Sequence, residues 1–273
     1  MNMKTVSILG VILLGAALAT PAADDGWFRD AVFYEVFVRS FFDSNGDGIG
    51  DLNGLTAKLD YLNDGDPATV TDLGVTALWL MPISPSPSYH GYDVTDYYGV
   101  NPDYGTMDDF KRLAAEAHRR GMRIIVDLVL NHTSSQHPDF LAAVDTASPK
   151  HDWYIWQANK PTGWSQPWSS GSSPDYVWHT LKAGMNYYGL FNDGMPDLNY
   201  RNPAVQEEMI RVAKHWLAAG ADGFRLDAIR YLFESGPGSG QMDTPETHAY
   251  LVRFDQALKQ QKPDCYLVGE IWT

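Results

Sequence analysis

The chain is short of cysteine and of positive charge, and both shortages limit what the protein can be. Cys265 is the only cysteine among 273 residues, so no disulfide can form within the chain, and it lies in an apolar run where a small core side chain is expected. Asp and Glu number 34 against 20 Lys and Arg, a formal charge of −14. This excess of acid argues against a nucleic-acid partner and favours a neutral or cationic ligand.

Long apolar runs are also missing, apart from one near the N-terminus. Residues 6–18 are apolar, follow Lys4 and precede small residues, with candidate cleavage sites at 17–19 and at Ala22. The run is too short to span a membrane and has the pattern of a secretory signal peptide. Residues 1–22 are therefore predicted to be a signal peptide, and the mature protein is expected to be secreted or periplasmic, with no membrane contact after cleavage.

What is present indicates a globular α/β protein, since 44% of the residues are apolar and 13% are aromatic. Helix signals separate a series of apolar runs: Thr106 with Asp109 opens one helix, Asn202-Pro203 opens a second, and a third is expected over about 245–260. This repeated order predicts a parallel sheet, and acids at strand ends favour a (β/α)8 TIM barrel. The predicted strands are Phe33–Val38, Ala77–Leu80, Arg123–Leu130, Phe224–Asp227 and Tyr266–Glu270.

One connection is too long for an ordinary loop, because about 70 residues separate the third strand from the next helix. A small inserted domain is predicted at residues 133–190, between barrel portions at 23–132 and 191–273. The insert is rich in aromatic residues. Flat rings suit the faces of sugars, but they also pack loop-rich inserts that lack a large core, and both readings stay open. These residues are Trp153, Tyr154, Trp156, Trp164, Trp168, Tyr176, Trp178, Tyr187 and Tyr188.

The run Gly-Phe-Arg-Leu-Asp at 223–227 carries the first candidate catalytic residues. Alternate residues of a strand share a face, so Arg225 and Asp227 are expected side by side, where the guanidinium keeps the carboxylate ionised and suited to nucleophilic attack. Glu270 ends the fifth predicted strand and would face the same mouth. Two carboxylates in unlike environments are what glycosidic bond cleavage needs. The alternative is a buried ion pair that only stabilises the fold.

A second candidate site lies in the segment 43–51, which spaces oxygen donors at every second position. Hard oxygen ligands at this spacing bind Ca²⁺, and Gly48 permits the sharp turn that such a loop needs. An EF-hand would require Glu where Gly54 stands, so that motif is excluded. A turn rich in Asp, Asn and Gly without any ion remains the alternative. The predicted calcium ligands are Asp43, Asn45, Asp47, the carbonyl of Ile49, and Asp51.

Four segments together resemble signature segments of the α-amylase family of glycoside hydrolases, in that family's order and approximate spacing. They are DLVLNH at 127–132, MPDLN at 195–199, GFRLDAIR at 223–230 and LVGEIW at 267–272. The resemblance implies a retaining mechanism on α-glucosidic bonds, with Asp227 as nucleophile and Glu270 as general acid and base. A retaining enzyme needs these carboxylates about 5 Å apart, and Glu270 must begin protonated. An apolar site and the charge of Asp227 are expected to raise its pKa.

The resemblance also implies roles for the residues around the two acids. Arg225 would orient and ionise Asp227, His132 would hydrogen-bond the sugar, and Tyr92 would stack beneath it. Tyr89 and His90 stand where relatives of oligo-1,6-glucosidase carry an acid that closes the pocket, so a cleft open to internal bonds is expected, with His90 among the substrate-binding residues. The MPDLN segment resembles members intermediate between oligo-1,6-glucosidases and neopullulanases.

Two expected features of the family are missing. The family has a third catalytic carboxylate, beside a His, near the seventh barrel strand, but no Asn-His-Asp run follows residue 227. We expect a barrel truncated after about its fifth strand, the N-terminal portion of a longer protein, and an unstable or inactive chain as written. Arg230-Tyr231 replace the Lys-His that many α-amylases carry, which weakens the case for calcium at Asn131 and Asp197, between barrel and insert.

The function predicted from the sequence is a secreted, monomeric, calcium-binding α-amylase that cleaves starch and maltooligosaccharides internally. One alternative is an α-glucosidase or neopullulanase-like hydrolase of the same family, which product length would distinguish. Others are a non-catalytic carbohydrate-binding homologue and an inactive fragment. The presence of both Asp227 and Glu270 argues against the binding homologue, since a site without turnover has no chemical need for two unlike acids.

Overall fold

The computed structural model describes residues 26–169 and 173–271. The predicted signal peptide at 1–22 lies outside these residues, as does Trp272 of the LVGEIW segment. Within the described ranges, no helix combines the length and the apolar character needed to cross a membrane.

A five-stranded parallel sheet forms the centre of the molecule, in the order β1-β2-β3-β7-β8. The prediction of a partial β/α barrel is confirmed, with strand limits that differ by a few residues: Val38 already begins a helix, and Leu130 and Glu270 lie just beyond their strands. The strands are β1 (Phe33–Val36), β2 (Ala77–Leu80), β3 (Arg123–Val129), β7 (Gly223–Asp227) and β8 (Tyr266–Gly269).

Three long helices connect or cover these strands, and their ends follow the predicted capping signals. Thr106 and Asp109 form a reciprocal capping box at the start of α4, and the Asn202 side chain accepts a hydrogen bond from the N–H of Ala204 at the start of α7. Short helices α1 to α3 between β1 and β2 were not predicted. The helices are α1 (Val38–Phe41), α2 (Leu52–Ala57), α3 (Leu59–Leu62), α4 (Met107–Arg119), α7 (Pro203–Ala219) and α8 (Pro245–Lys259).

The long connection after β3 contains a second, three-stranded antiparallel sheet in the order β4-β6-β5. Most of the predicted insert's aromatic rings pack on one another here, and Trp178 and Tyr188 are almost completely buried. The domain limits themselves stay a prediction. The elements are α5 (Pro138–Ala143), β4 (Trp156–Gln157), α6 (Pro174–Val177), β5 (Trp178–Lys182) and β6 (Met185–Tyr188).

A buried carboxylate fixes the N-terminal end of the central sheet. Asp222, which directly precedes β7, accepts hydrogen bonds from the N–H of Ile124 at 2.8 Å and from Arg123 at 3.1 Å, and its other contacts are His118 at 2.7 Å and Lys262 at 3.2 Å. These partners come from β3, α4 and the turn before β8. Asp222 therefore joins three neighbouring elements at the end of the sheet opposite the candidate catalytic residues.

Candidate active site

One guanidinium joins three carboxylates at the C-terminal end of the sheet. The register of β3 and β7 pairs Asp127 with Arg225, and strand alternation places Asp227 on the same face. Arg225 Nη1 lies 2.9 Å from Asp127 Oδ1 and 2.8 Å from Asp227 Oδ1, and its Nη2 lies 2.7 Å from Glu270 Oε1. The structure thus brings together the three residues that the sequence singled out from two separate strands.

A cavity of about 310 Å³ opens above this cluster. Asp227 and Glu270 line it together with His90, Tyr92 and His132, so all six proposed catalytic and substrate-binding residues lie in or directly below one cavity. Four further residues line the cavity; only Trp168 among them was named from the sequence, in the aromatic set for which sugar contact and packing both stayed open. They are Trp168, Phe191, Asn192 and Met195.

Arg225 was expected to pair with Asp227, but its one guanidinium contacts three carboxyl groups. Burial raises the pKa of Asp227 to about 8, the negative charge of Asp127 adds to this effect, and Arg225 only partly opposes it. Burial also raises the pKa of Asp127 to about 6, again against Arg225. Desolvation and the ion pair with Arg225 therefore act on the Asp227 carboxyl group in opposite directions, and the expectation that Arg225 keeps Asp227 ionised stays a prediction.

Glu270 makes polar contacts through both of its carboxyl oxygens. Its Oε1 meets Arg225 at 2.7 Å, and its Oε2 accepts a hydrogen bond from the backbone N–H of Ala228 at 3.2 Å. Ala228 adopts a left-handed backbone conformation, with φ of 50°, directly after Asp227. A non-glycine residue takes this conformation only at some cost, and here it accompanies an N–H donated to Glu270.

Asp127 is a site residue that the sequence reasoning did not propose. Its buried carboxylate accepts hydrogen bonds from Arg225, from the Tyr92 hydroxyl at 3.1 Å and from the Trp79 indole N–H at 3.3 Å. It therefore orients both the guanidinium and the ring of Tyr92. A signal was available, because Asp127 is the one acid within the apolar strand Arg123–Val129 and alternation faces it toward the barrel interior.

The two histidines of the cavity are held in different ways. His132 is completely buried, which lowers its pKa to about 4 and keeps the ring neutral, and its Nε2 has no hydrogen-bond partner among the described residues. Its ring packs against Phe191 with centroids 5.0 Å apart. His90 stacks on Tyr92 at 5.9 Å, and its Nδ1 accepts a hydrogen bond from the N–H of Tyr92. A neutral His132 can donate or accept a hydrogen bond at the cavity.

Asn131 and Asp197 connect β3 to the segment that follows the insert. The Asn131 amide donates to Asp197 at 2.8 Å, and the N–H of Leu190 donates to the other Asp197 oxygen at 2.9 Å. Complete burial raises the pKa of Asp197 to about 8. This pair holds the insert against the strand end that carries His132.

The proposed calcium loop at 43–51 directs its side-chain oxygens toward its own backbone. Asp43 accepts hydrogen bonds from the N–H groups of Asn45, Gly46 and Gly48, which lower its pKa, while Asp51 accepts from Gly54 and caps α2. Within the described ranges, no three His, Cys, Asp or Glu side chains are grouped so as to hold a metal ion. The donors are still all oxygens, as Ca²⁺ prefers, but amide and carbonyl oxygens would have to complete the set.

Comparisons with known proteins agree with this geometry. The family model described as "Alpha amylase, catalytic domain" matches residues 35–273. The chain is 48% identical over 250 residues to "Alpha-amylase 3" of Dictyoglomus thermophilum. The matched region covers 91% of this chain and 45% of that protein. It is 38% identical over 265 residues to an oligo-1,6-glucosidase of Parageobacillus thermoglucosidasius, covering 89% of this chain and 45% of the relative.

Other relatives broaden the range of named activities. A trehalose synthase/amylase of Mycolicibacterium smegmatis is 44% identical over 255 residues, covering 92% of this chain and 41% of that protein. The crystal structure of the α-amylase from H. orenii superposes with a TM-score of 0.80 at 51% identity, covering 89% of this chain and 48% of the other. The chain therefore spans somewhat less than half the length of the relatives that it matches.

Proposed function

Because the chain belongs to the α-amylase family of glycoside hydrolases, we propose that the protein hydrolyses internal α-1,4-glucosidic bonds of starch and maltooligosaccharides with retention of configuration. The observation that carries the proposal is the contact of one guanidinium, Arg225, with both Asp227 and Glu270 at the floor of a single cavity. A pair of acids held in this way at the strand ends of a β/α barrel suits glycosidic bond cleavage.

In the proposed reaction, Asp227 attacks the anomeric carbon while Glu270 gives a proton to the leaving oxygen; Glu270 then takes a proton from the water that releases the sugar. Catalysis requires an ionised Asp227 and a protonated Glu270. Burial favours the protonated form of Asp227, so Asp227 has to lose that proton before it attacks, and its contact with Arg225 stabilises the carboxylate that forms.

The preference for internal bonds is supported by the rim of the cavity. His90 lines the cavity and the preceding Tyr89 is 69% exposed, and neither is an acid that could bind the end of a glucan chain. We also propose that the loop at 43–51 binds Ca²⁺ and that the protein acts outside the cytoplasm. The oxygen donors of the loop support the first point, and the apolar run at residues 6–18 supports the second.

The test is hydrolysis of soluble starch by the full-length protein that contains this chain and by its Asp227→Asn and Glu270→Gln variants. We expect polymer length to fall before glucose accumulates, and each variant to lose at least about a thousandfold in kcat/KM. Asp66 is an exposed acid that does not line the cavity, so Asp66→Asn is the control and should retain full activity. Glucose released from the start would instead indicate an α-glucosidase, and equal activity of parent and Asp227→Asn would contradict the catalytic assignment.

A further inference from the structure

A second cavity, of about 240 Å³, lies between the insert and the segment that follows β7. None of the residues that line it also lines the candidate active-site cavity. We propose that this second cavity is a separate, non-catalytic binding site for one sugar unit of an α-glucan. The ligand class rests on the proposed function, whereas the existence of the site rests on the contacts of Trp164, Trp178 and Glu234.

One wall of the second cavity is aromatic and rigid. Trp164 meets Trp178 edge to face with centroids 5.5 Å apart, and it meets Tyr188 at 5.1 Å. Trp178 and Tyr188 are each 1% exposed, so they fix the orientation of Trp164, which is itself only half-buried. A flat, supported ring of this kind can stack on the apolar face of a pyranose without losing much side-chain freedom.

Two residues that line the second cavity carry hydrogen-bonding groups that the protein does not itself satisfy. Glu234 lines the cavity, and its Oε1 is shielded from solvent without a hydrogen-bond partner among the described residues. Burial and the negative charge of Asp197 raise its pKa well above the usual range, so the carboxyl group is neutral and can donate as well as accept. The buried indole N–H of Trp178 also has no partner within the described ranges. Unsatisfied buried polar groups are rare in proteins and point to a missing partner.

The rim of the second cavity adds planar polar side chains. Arg201 donates through Nη2 to the backbone carbonyl of Glu234 at 2.6 Å, which fixes its guanidinium, and the exposed Gln157 lines the same cavity. Arg201 already faces Glu246 at 3.7 Å, so the site does not present an uncompensated cation to an anion. A neutral ligand with many hydroxyl groups fits this combination of an aromatic ring, a neutral carboxyl group and planar donors.

The experiment is calorimetric titration of maltotriose into the Asp227→Asn protein, which cannot turn the ligand over. We expect two binding events. Tyr92→Ala should abolish one of them, and Trp164→Ala should weaken the other by about tenfold or more. Tyr176→Ala removes an exposed aromatic ring of the insert outside both cavities and is the matched control, with no change expected.

Two substitutions at Glu234 keep the test informative if Trp164→Ala fails to fold. Glu234→Gln preserves a neutral hydrogen-bonding group and should keep the second event, whereas Glu234→Leu should lose it, with thermal unfolding used to verify the fold of each. A single binding event that is lost in Tyr92→Ala and unchanged in Trp164→Ala would overturn the second site. That result would leave the proposed function intact, because starch hydrolysis by the parent is measured separately.

Discussion

At the scale of single residues, the decisive feature is the excess of acids over cations around Arg225. Asp127, Asp227 and Glu270 all contact the same guanidinium, and the site is largely closed to solvent. If all three acids were ionised, a net negative charge would be buried, which is costly. Retention of a proton within the cluster is therefore the expected state of the empty site.

Substituting Asp127 should move the pH dependence of activity in a defined direction. Asp127→Asn removes a negative charge that raises the pKa of Asp227, and it frees Arg225 to stabilise the Asp227 carboxylate. Both effects lower the pKa of Asp227, so the acid limb of the kcat/KM profile should shift to lower pH even if the maximal rate falls. Trp79→Phe removes an uncharged donor to Asp127 and should shift the limb far less. An acid limb that stays in place or moves upward would contradict the electrostatic account.

Asp197 should make the folded protein less stable as the pH rises. Its pKa in the folded state is about 8, against an ordinary value of 3.8, so the folded protein holds a proton that the unfolded chain releases. The stability that this proton confers is complete below about pH 4 and is lost progressively up to about pH 8. The melting temperature of Asp197→Asn should therefore fall less steeply than that of the parent between pH 5 and pH 8. Parallel curves would show that Asp197 is ionised in the folded state.

At the scale of elements, the two ends of the central sheet have different tasks. The C-terminal ends of β3 and β7 carry Asp127, Arg225 and Asp227, whereas the N-terminal ends are joined through Asp222. This division is the usual one in β/α barrels, where catalysis and stability occupy opposite faces. Substitutions at the C-terminal ends of the strands should therefore change activity, whereas substitutions at the N-terminal ends should change stability.

Asp222→Ala should destabilise the fold by about 3 kcal/mol, because it leaves the buried N–H of Ile124 without its acceptor and removes the buried carboxylate that Arg123 and Lys262 share. Urea unfolding would measure the loss. Asp264→Ala, at a half-exposed acid that contacts the same Arg123 and Lys262, is the matched control and should cost under about 1 kcal/mol. The pH profile of the surviving activity should be unaltered in both variants. A similar loss in both would contradict the special role of Asp222.

The loop at 43–51 gives a further prediction at this scale. If its oxygens bind Ca²⁺, a chelator should lower the melting temperature of the parent and added Ca²⁺ should restore it, since an ion that binds only the folded state stabilises it. Asp47→Ala should abolish this response while leaving Asp51 free to cap α2. A chelator that has no effect would indicate a turn held by its own hydrogen bonds.

At the scale of the whole molecule, five of the described strands form the central sheet, in which β1 and β8 each have one neighbouring strand. A cavity of about 480 Å³ lies on the interior side of the sheet, lined by residues of β1, β2, β3, β7 and β8 such as Trp79, Ile125 and Val268. Edge strands beside an apolar surface tend to pair with other chains.

Residues 23–273 expressed as a separate polypeptide should therefore associate. Light scattering after size-exclusion chromatography should give a mass above that of one chain, and Val268→Lys should reduce the association by placing a charge in this surface. A monodisperse monomer at concentrations of tens of micromolar would contradict this expectation.

The sequence by itself determined the strands of the central sheet, the three long helices and the family. Apolar runs between helix caps located all five strands of the central sheet to within two residues at each end, because capping and periodicity act locally along the chain. The signature segments identified Arg225, Asp227 and Glu270, and alternation along β7 was enough to put the first two side by side. The short helices after β1 were missed because their apolar patterns span less than two turns.

Only the tertiary structure decided how charge is shared and which side chains meet. Asp127 lies 98 residues before Arg225 in the chain, and their contact depends on the register of β3 against β7. The raised pKa of Asp227 likewise depends on burial by elements distant in sequence, which no local pattern measures. The second cavity arises where the insert meets Arg201 and Glu234, so its existence follows from the packing of separate segments. Local interactions fix the elements, whereas long-range packing fixes their environment.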